Sequence, residues 1–114
     1  MAKYYESLDG VFAALADPSR RAVVQRLGAG PASVGELSRD LPITLPSFMK
    51  HIRVLEDSGL IRTVKTGRVR RCTLDRQRFA LIDGWLAEQR RTWEGRTDRL
   101  EQFLLEPPEP TDES

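Results

Sequence analysis

Apolar residues recur at helical spacing near the start of the chain, and the residues after them start and stop helices. The first apolar stripe, which ends at Ala16, comprises Leu8, Val11, Phe12 and Leu15. A second helix is predicted over 18–27, because Asp17 can accept hydrogen bonds from free backbone N–H groups and Pro18 fits a first helical turn. The glycines and proline of 28–31 end this helix.

Two further short helices follow, each with a hydroxyl residue as its predicted N-cap. Ser33 begins a third helix that extends through Leu41, where Pro42 limits it. Thr44 begins a fourth helix, which Gly59 ends. The predicted buried stripe of the fourth helix comprises Leu45, Phe48, Ile52 and Leu55. Two short helices joined by a brief turn make a candidate helix-turn-helix.

The pattern changes at residue 60, where β-branched residues become frequent. Segments 60–65 and 69–74 are predicted strands, and Thr66-Gly67-Arg68 between them supplies a turn with a glycine for a positive φ angle. Four cations crowd around this turn: Lys65, Arg68, Arg70 and Arg71. The sequence therefore predicts a basic β-hairpin.

Residues 76–105 contain no proline and are predicted to form one long helix. An imperfect heptad repeat comprises Phe79, Leu86, Trp93 and Leu100, with Ile82 and Phe103 at intervening positions. The helix is longer than the core of one small domain needs. We therefore expect its far half to pack on another chain.

The length of 114 residues fits one domain, which we expect over 1–105, followed by a disordered acidic, proline-rich tail over 106–114. The single cysteine, Cys72, excludes an internal disulfide and a thiolate-rich zinc finger. There is no long apolar run and no secretory signal pattern at the start of the chain. These features predict a cytoplasmic protein.

The balance of 18 basic and 17 acidic residues conceals an uneven distribution. Residues 45–74 contain seven Lys or Arg against two acidic residues, whereas 100–114 contain five acidic residues and no basic one. A basic segment thus coincides with the fourth helix and the hairpin. Such a concentration of cations is typical of a nucleic-acid contact.

The face of the fourth helix opposite its apolar stripe carries residues that can bind DNA. Lys50 and Arg53 can reach guanine or phosphate, Ser47 can donate or accept, and Thr44 stands with it where a helix N-terminus favours an anion. His51, on the flank, could bond a phosphate. An ordinary amphipathic surface helix would look similar, and the hairpin cations could merely protect a sheet edge. Four cations at one turn exceed that need, so we favour DNA contact.

These elements and four short motifs together resemble the ArsR/SmtB family of winged helix-turn-helix repressors. The motifs are A-L-A-D-P-S-R-R at 14–21, V-G-E-L at 34–37, K-H-I-R-V-L-E-D-S-G-L-I at 50–61 and the Gly-Arg hairpin at 67–71. The resemblance implies a mainly α fold with a small β-hairpin as its wing. It also implies a homodimer on a palindromic operator, double-stranded DNA near the promoter of its own gene.

The family resemblance assigns roles to individual residues. Ser47, Lys50, His51 and Arg53 would contact DNA from the fourth helix, and Arg68 and Arg70 from the wing. The first and last helices would join the dimer, and the predicted interface comprises Leu8, Phe12, Leu86, Trp93, Leu100 and Phe103.

The chain departs from the metal-sensing members of that family. Ser33 stands where a cysteine would be expected, and the long helix contains no histidine. One cysteine and one histidine cannot build a zinc or arsenite site, so we expect no metal and no other cofactor. Cys72 is expected to be a small packed side chain, with a thiol switch as the alternative. Trp85 and Trp93 could line an effector cavity, although packing explains Trp93 more simply.

The sequence offers no group of residues for catalysis. There is no nucleophile paired with a base and no phosphate-binding loop, so we expect no enzyme. A winged helix that binds protein instead of DNA is the alternative to a DNA-binding regulator.

Overall fold

The computed structural model describes residues 2–105, apart from the side chains of residues 2–6, 97 and 98. In chain order the elements are α1 (Ala2–Leu15), α2 (Pro18–Leu27), β1 (Ala32–Ser33), α3 (Val34–Arg39), α4 (Leu45–Asp57), β2 (Ile61–Thr66), β3 (Val69–Leu74) and α5 (Arg76–Leu105). The predicted mainly helical fold with a small hairpin is confirmed. The predicted tail over 106–114 lies outside the described residues.

The predicted N-caps of the three central helices are confirmed by hydrogen bonds. In each case the capping side chain accepts from the backbone N–H three residues later, which satisfies a donor that has no partner within the helix. The N···O distances are 3.1 Å from Arg20 to Asp17, 3.1 Å from Glu36 to Ser33 and 3.4 Å from Ser47 to Thr44. The third helix is shorter than predicted, since it ends at Arg39 and leaves Leu41 in the connection to α4.

The three strands form an antiparallel sheet in the order β1-β3-β2. We define the wing as β2, β3 and the turn between them, where Gly67 has the predicted positive φ of 62°. Thr66 belongs to β2 instead of the turn. Strand β1 was not predicted, because two residues are too few to show an alternating pattern. It pairs Ala32 with Cys72 and so covers the second edge of β3.

The hydrophobic core lies between the four helices α1, α2, α3 and α4, strand β1 and the inner face of the wing. Its largest fully buried side chains are those of Phe48, Ile52, Leu55, Leu60, Ile61, Val11 and Cys72. The prediction that Leu45 belongs to this core is wrong, because its side chain is 58% exposed. Leu45 is the first residue of α4, and the helix begins there at the margin of the core.

The chain divides into two compact units, and the boundary falls within α5, between Ile82 and Asp83. In the first unit, Phe79 and Ile82 pack against the core. In the second, the described apolar side chains are largely exposed, with Trp93 at 59% and Phe103 at 74%. The predicted extent of one domain over 1–105 stays a prediction. No helix within residues 2–105 is long and apolar enough to cross a bilayer.

Candidate nucleic-acid interface

The outward face of α4 presents polar and cationic side chains to solvent. Thr44, Ser47, Lys50 and Arg53 are all exposed, while Phe48 and Ile52 anchor the opposite face in the core. Neither Lys50 nor Arg53 forms a hydrogen bond or ion pair within the described part of the chain. Their charged groups are therefore available to a ligand.

The start of α4 is organised by its two hydroxyl residues. The Thr44 Oγ1 accepts from the Ser47 backbone N–H at 3.4 Å and donates to the Ser47 Oγ at 3.1 Å. Pro46 occupies the first turn, where its lack of an N–H costs nothing. The positive end of the helix dipole thus lies beside two hydroxyl groups, an arrangement that suits an anion such as a phosphate.

One flank of α4 is attached to the junction between α1 and α2. The Arg20 Nη1 donates to the His51 Nδ1 at 3.1 Å, and Asp17 Oδ2 lies 3.8 Å from the same ring nitrogen. Arg20 also donates to the backbone carbonyls of Ala13 and Ala14 at 3.1 and 2.7 Å. His51 is half-buried, so this predicted phosphate contact is also a structural link. The sequence analysis assigned no role to Arg20, although this residue lies in the A-L-A-D-P-S-R-R motif that carries the family resemblance.

The carboxylate of Asp17 serves both the helix cap and this link. The backbone N–H of Arg20 lowers the pKa of Asp17 below its ordinary value, and the nearby His51 and Arg20 side chains lower it further, against an opposing effect of burial. An ionised Asp17 is the form that accepts from the α2 backbone.

The other flank of α4 is attached to the wing. The Thr63 Oγ1 donates to the Glu56 Oε2 at 2.6 Å, and the Arg70 Nη1 donates to the Thr63 Oγ1 at 3.1 Å. Arg70, a predicted DNA contact, is therefore half-buried and bonded within the chain. Because a guanidinium has five N–H donors, the others stay available to a phosphate.

The remaining wing cations divide between the tip and the base. Lys65 and Arg68 are exposed at the tip, and Arg71 is exposed farther along β3. At the base, the Arg62 Nη2 donates to the Asp75 Oδ2 at 2.9 Å, which lowers the pKa of Asp75. The tip thus carries the free charge, whereas Arg62 holds the wing to the start of α5.

Comparison with known proteins places this geometry in a family. A family model described as "Helix-turn-helix domain" matches residues 15–64. The crystal structure of the ArsR family transcriptional regulator RHA00566 is 57% identical, with a TM-score of 0.78, and the match covers 82% of this chain and 97% of that one. The chain belongs to the ArsR family of winged helix-turn-helix transcriptional regulators.

Two relatives of this ArsR-family chain have names that bear on its role. The HTH-type transcriptional regulator Rv2034 of Mycobacterium tuberculosis is 48% identical over 67 residues, which are 57% of this chain and 63% of that regulator. The transcriptional repressor SdpR of Bacillus subtilis is 28% identical over 61 residues, which are 54% of this chain and 68% of the repressor. The chain thus spans less than two thirds of the M. tuberculosis protein. The names of both relatives are those of regulators, not enzymes.

The single thiol of this ArsR-family chain is packed in the core. Cys72 is 0% exposed and lies on β3 opposite Ala32 and Thr63. Burial, helped by the charge of Glu56, raises the pKa of Cys72 to about 11. A thiol in this state carries little thiolate, so the structure favours the packed role over the thiol switch. Among the described residues there is no cluster of three or more His, Cys, Asp or Glu that could hold a metal ion.

Proposed function

We propose that this protein is a dimeric repressor that binds a palindromic operator near the promoter of its own gene. The observation that carries the proposal is the outward face of α4, where Lys50 and Arg53 are exposed and form no internal hydrogen bond or ion pair with the described residues. A helix in the major groove reads base edges with such side chains, and arginine or lysine paired with guanine is the commonest specific contact.

The residues around this face have distinct proposed roles. Lys50 and Arg53 contact bases, while Thr44 and Ser47 bind a phosphate at the start of α4. His51 donates from its free ring nitrogen to a second phosphate. Arg68 at the wing tip, with Arg70 behind it, contacts the backbone beside the major groove that α4 occupies.

The dimer proposal rests on apolar side chains that one chain leaves uncovered. Leu86 is 39% exposed, and the fraction rises to 59% for Trp93 and Leu100 and to 74% for Phe103. Phe12 on α1 is 38% exposed. Leu8 differs from the other five predicted interface residues, because it is already buried at 3% exposure within one chain. We therefore assign the interface to the exposed apolar side chains of α5, and the roles of Leu8 and Phe12 on α1 stay predictions.

The repressor role is supported by the name of the relative from Bacillus subtilis, a transcriptional repressor. A protein that occupies an operator near a promoter blocks access to that promoter. Half-sites about one helical turn apart would suit two copies of α4 related by a two-fold axis. The same proposal places the protein in the cytoplasm, where the operator DNA would be found.

A mobility-shift titration with the DNA upstream of the gene, run at 50 and 200 mM salt, tests DNA binding. Lys50→Ala and Arg53→Ala should each weaken operator binding by about 1 to 3 kcal/mol and relax the preference at one base pair. Arg68→Ala should weaken binding to operator and unrelated DNA alike. Arg90→Ala, which removes an exposed cation outside the candidate surface, is the matched control.

The outcomes separate DNA binding from protein binding by the same scaffold. Contacts with several phosphates should make the affinity fall steeply as salt rises, whereas an apolar protein interface responds mildly. If all three variants bound the operator like the control, this surface would not be the DNA interface.

Sedimentation at micromolar protein tests the dimer separately. The wild-type chain should sediment as a dimer, and Phe103→Glu should shift it toward a monomer by placing a charge in an apolar interface. Glu101→Gln is the control on the same helix. A monomeric wild type would overturn the assignment of α5 to an interface.

A further inference from the structure

An apolar groove lies between α4 and the wing, and its third wall comprises Ser33 with Val34, Gly35 and Ser38 of α3. It has a volume of about 420 Å³, and its apolar lining comprises Val34, Leu45, Met49 and Val69. Arg68 and Arg70 lie on its wing side, and no acidic side chain lines it. We call this feature the helix-wing groove.

The most exposed apolar side chains of the groove are Leu45 and Val69, at 58% and 53%. Neither residue belongs to the hydrophobic core, to which α4 contributes Phe48 and Ile52 among others. Leu45 is the first residue of α4, adjacent to the capping Thr44. Residues at the N-terminal end of a recognition helix are those that reach base edges.

The charges around the groove indicate what covers it. Two arginines and no carboxylate line the groove, which suits a polyanion, and the exposed Lys50 and Arg53 continue the cationic surface along α4. The negative charge of DNA therefore matches the positive charge around the helix-wing groove. The major groove of DNA offers one apolar group, the C5 methyl of thymine, which matches an aliphatic lining.

We propose that the helix-wing groove receives thymine methyl groups of the operator, with Leu45 as a specificity-determining residue. The proposal rests on the proposed DNA-binding function. Leu45, supported by Met49, contacts the methyl while Arg68 holds the adjacent phosphate. This apolar contact adds selection for thymine to the guanine contacts of Lys50 and Arg53.

The test replaces thymine by uracil, which pairs identically but lacks the methyl. The operator is first defined by selection from random DNA, and each thymine of a half-site is then changed singly to deoxyuridine. At one or two positions the wild-type affinity should fall about fourfold, which corresponds to about 0.8 kcal/mol for a buried group of this size.

The variant Leu45→Ala should bind the thymine operator more weakly and no longer distinguish thymine from uracil at those positions. Because Leu45 is exposed, the variant should keep the wild-type circular dichroism spectrum. Val64→Ala removes methyl groups from a 63% exposed valine of the wing that does not line the groove, and it should keep the fourfold discrimination.

Three outcomes would overturn the inference, and they are distinguishable. If the wild type bound one sequence specifically but ignored the loss of every methyl, the groove would have another occupant and the DNA-binding function would stand. If Leu45→Ala kept the full discrimination, the methyl contact would belong to another residue. If the selection yielded no preferred sequence, the proposed function would fail and this inference with it.

Discussion

The guanidinium of Arg20 donates to the Nδ1 of His51 at 3.1 Å and so joins the start of α2 to α4. Because a guanidinium can only donate, the ring nitrogen that faces it must accept. A neutral His51 in this arrangement carries its proton on Nε2, the nitrogen that is free to meet a phosphate. The hydrogen bond thus holds the ring in position and favours this tautomer of the neutral ring.

We therefore expect His51 to be held in the Nε2–H tautomer at pH 8. Nitrogen-15 NMR can measure this directly, because the chain contains a single histidine. Arg20→Leu should produce a mixture of tautomers and weaken DNA binding. Arg21→Leu, which removes a neighbouring arginine bonded to the Leu15 carbonyl, should change neither. A substantial Nδ1–H population in the wild type would contradict the observed hydrogen bond.

Gly59→Ala should destabilise the fold by about 1 to 3 kcal/mol. Gly59 follows the end of α4 with a φ of 82°, which an L side chain rarely adopts, and an added Cβ would also require the flexible Arg78 guanidinium to shift. Urea unfolding measures the effect. Gly67→Ala is the control, since its φ of 62° is also positive but nothing lies within 4 Å of the added carbon. The double variant Gly59→Ala/Arg78→Ala should recover the part due to the clash, and an equal cost at both glycines would show that the clash is negligible.

Cys72 should react slowly with alkylating reagents in the native state. With its pKa raised by burial from 9.0 to about 11, the thiolate fraction at pH 8 falls about a hundredfold, and the core restricts access as well. Iodoacetamide labelling followed by mass spectrometry, with the urea-unfolded chain as reference, checks this. Treatment with dilute hydrogen peroxide should leave DNA affinity unchanged. Rapid labelling of the native chain would support a thiol switch at Cys72 instead. So would a loss of DNA binding after peroxide treatment that thiol reductants reverse.

The Arg62–Asp75 ion pair should make stability depend on acid pH. The hydrogen bond from Arg62 lowers the pKa of Asp75 below its ordinary 3.8, so the unfolded chain binds a proton more readily than the folded chain. The stabilising contribution is therefore present above pH 3.8 and is lost as the pH falls through the folded-state value. Thermal unfolding between pH 6 and 2.5 measures it.

Asp75→Asn should flatten the acid limb of this stability profile. An asparagine oxygen can still accept from the Gln77 backbone N–H, as Asp75 does at 3.0 Å, so the start of α5 keeps its cap. Asp83→Asn is the control, because Asp83 is exposed and forms no ion pair with the described residues. An unchanged acid limb in Asp75→Asn would mean that other carboxylates govern the acid transition.

The helices and the wing could be predicted because local chemistry determines their ends. Asp17, Ser33 and Thr44 cap helices through bonds that span three residues, and Gly67 permits the wing turn. Strand β1 could not be predicted in this way, since its two residues become a strand only by pairing with β3 across the sheet. Its existence depends on contacts distant in the sequence.

The sequence predicted the positive charge of the candidate site but not the hydrogen bonds that its residues form with the rest of the fold. Helical periodicity places Lys50 and Arg53 outward, as observed, but it also groups Leu45 with the core, because the periodicity does not show where the core ends. The direction of Cys72 on its strand was open until the register with Ala32 and Thr63 was known. The partners of His51 and Arg70 depend on which distant side chains the fold brings to the two flanks of α4.

These two flanking attachments have a consequence for how such regulators diverge. His51 and Glu56 hold α4 at its sides, whereas Leu45, Lys50 and Arg53 contribute nothing to that attachment. If the proposed function holds, substitutions at these three positions therefore change the preferred operator while leaving the scaffold intact. A duplicated copy of the gene could acquire a new target in single mutational steps, each of which yields a folded protein.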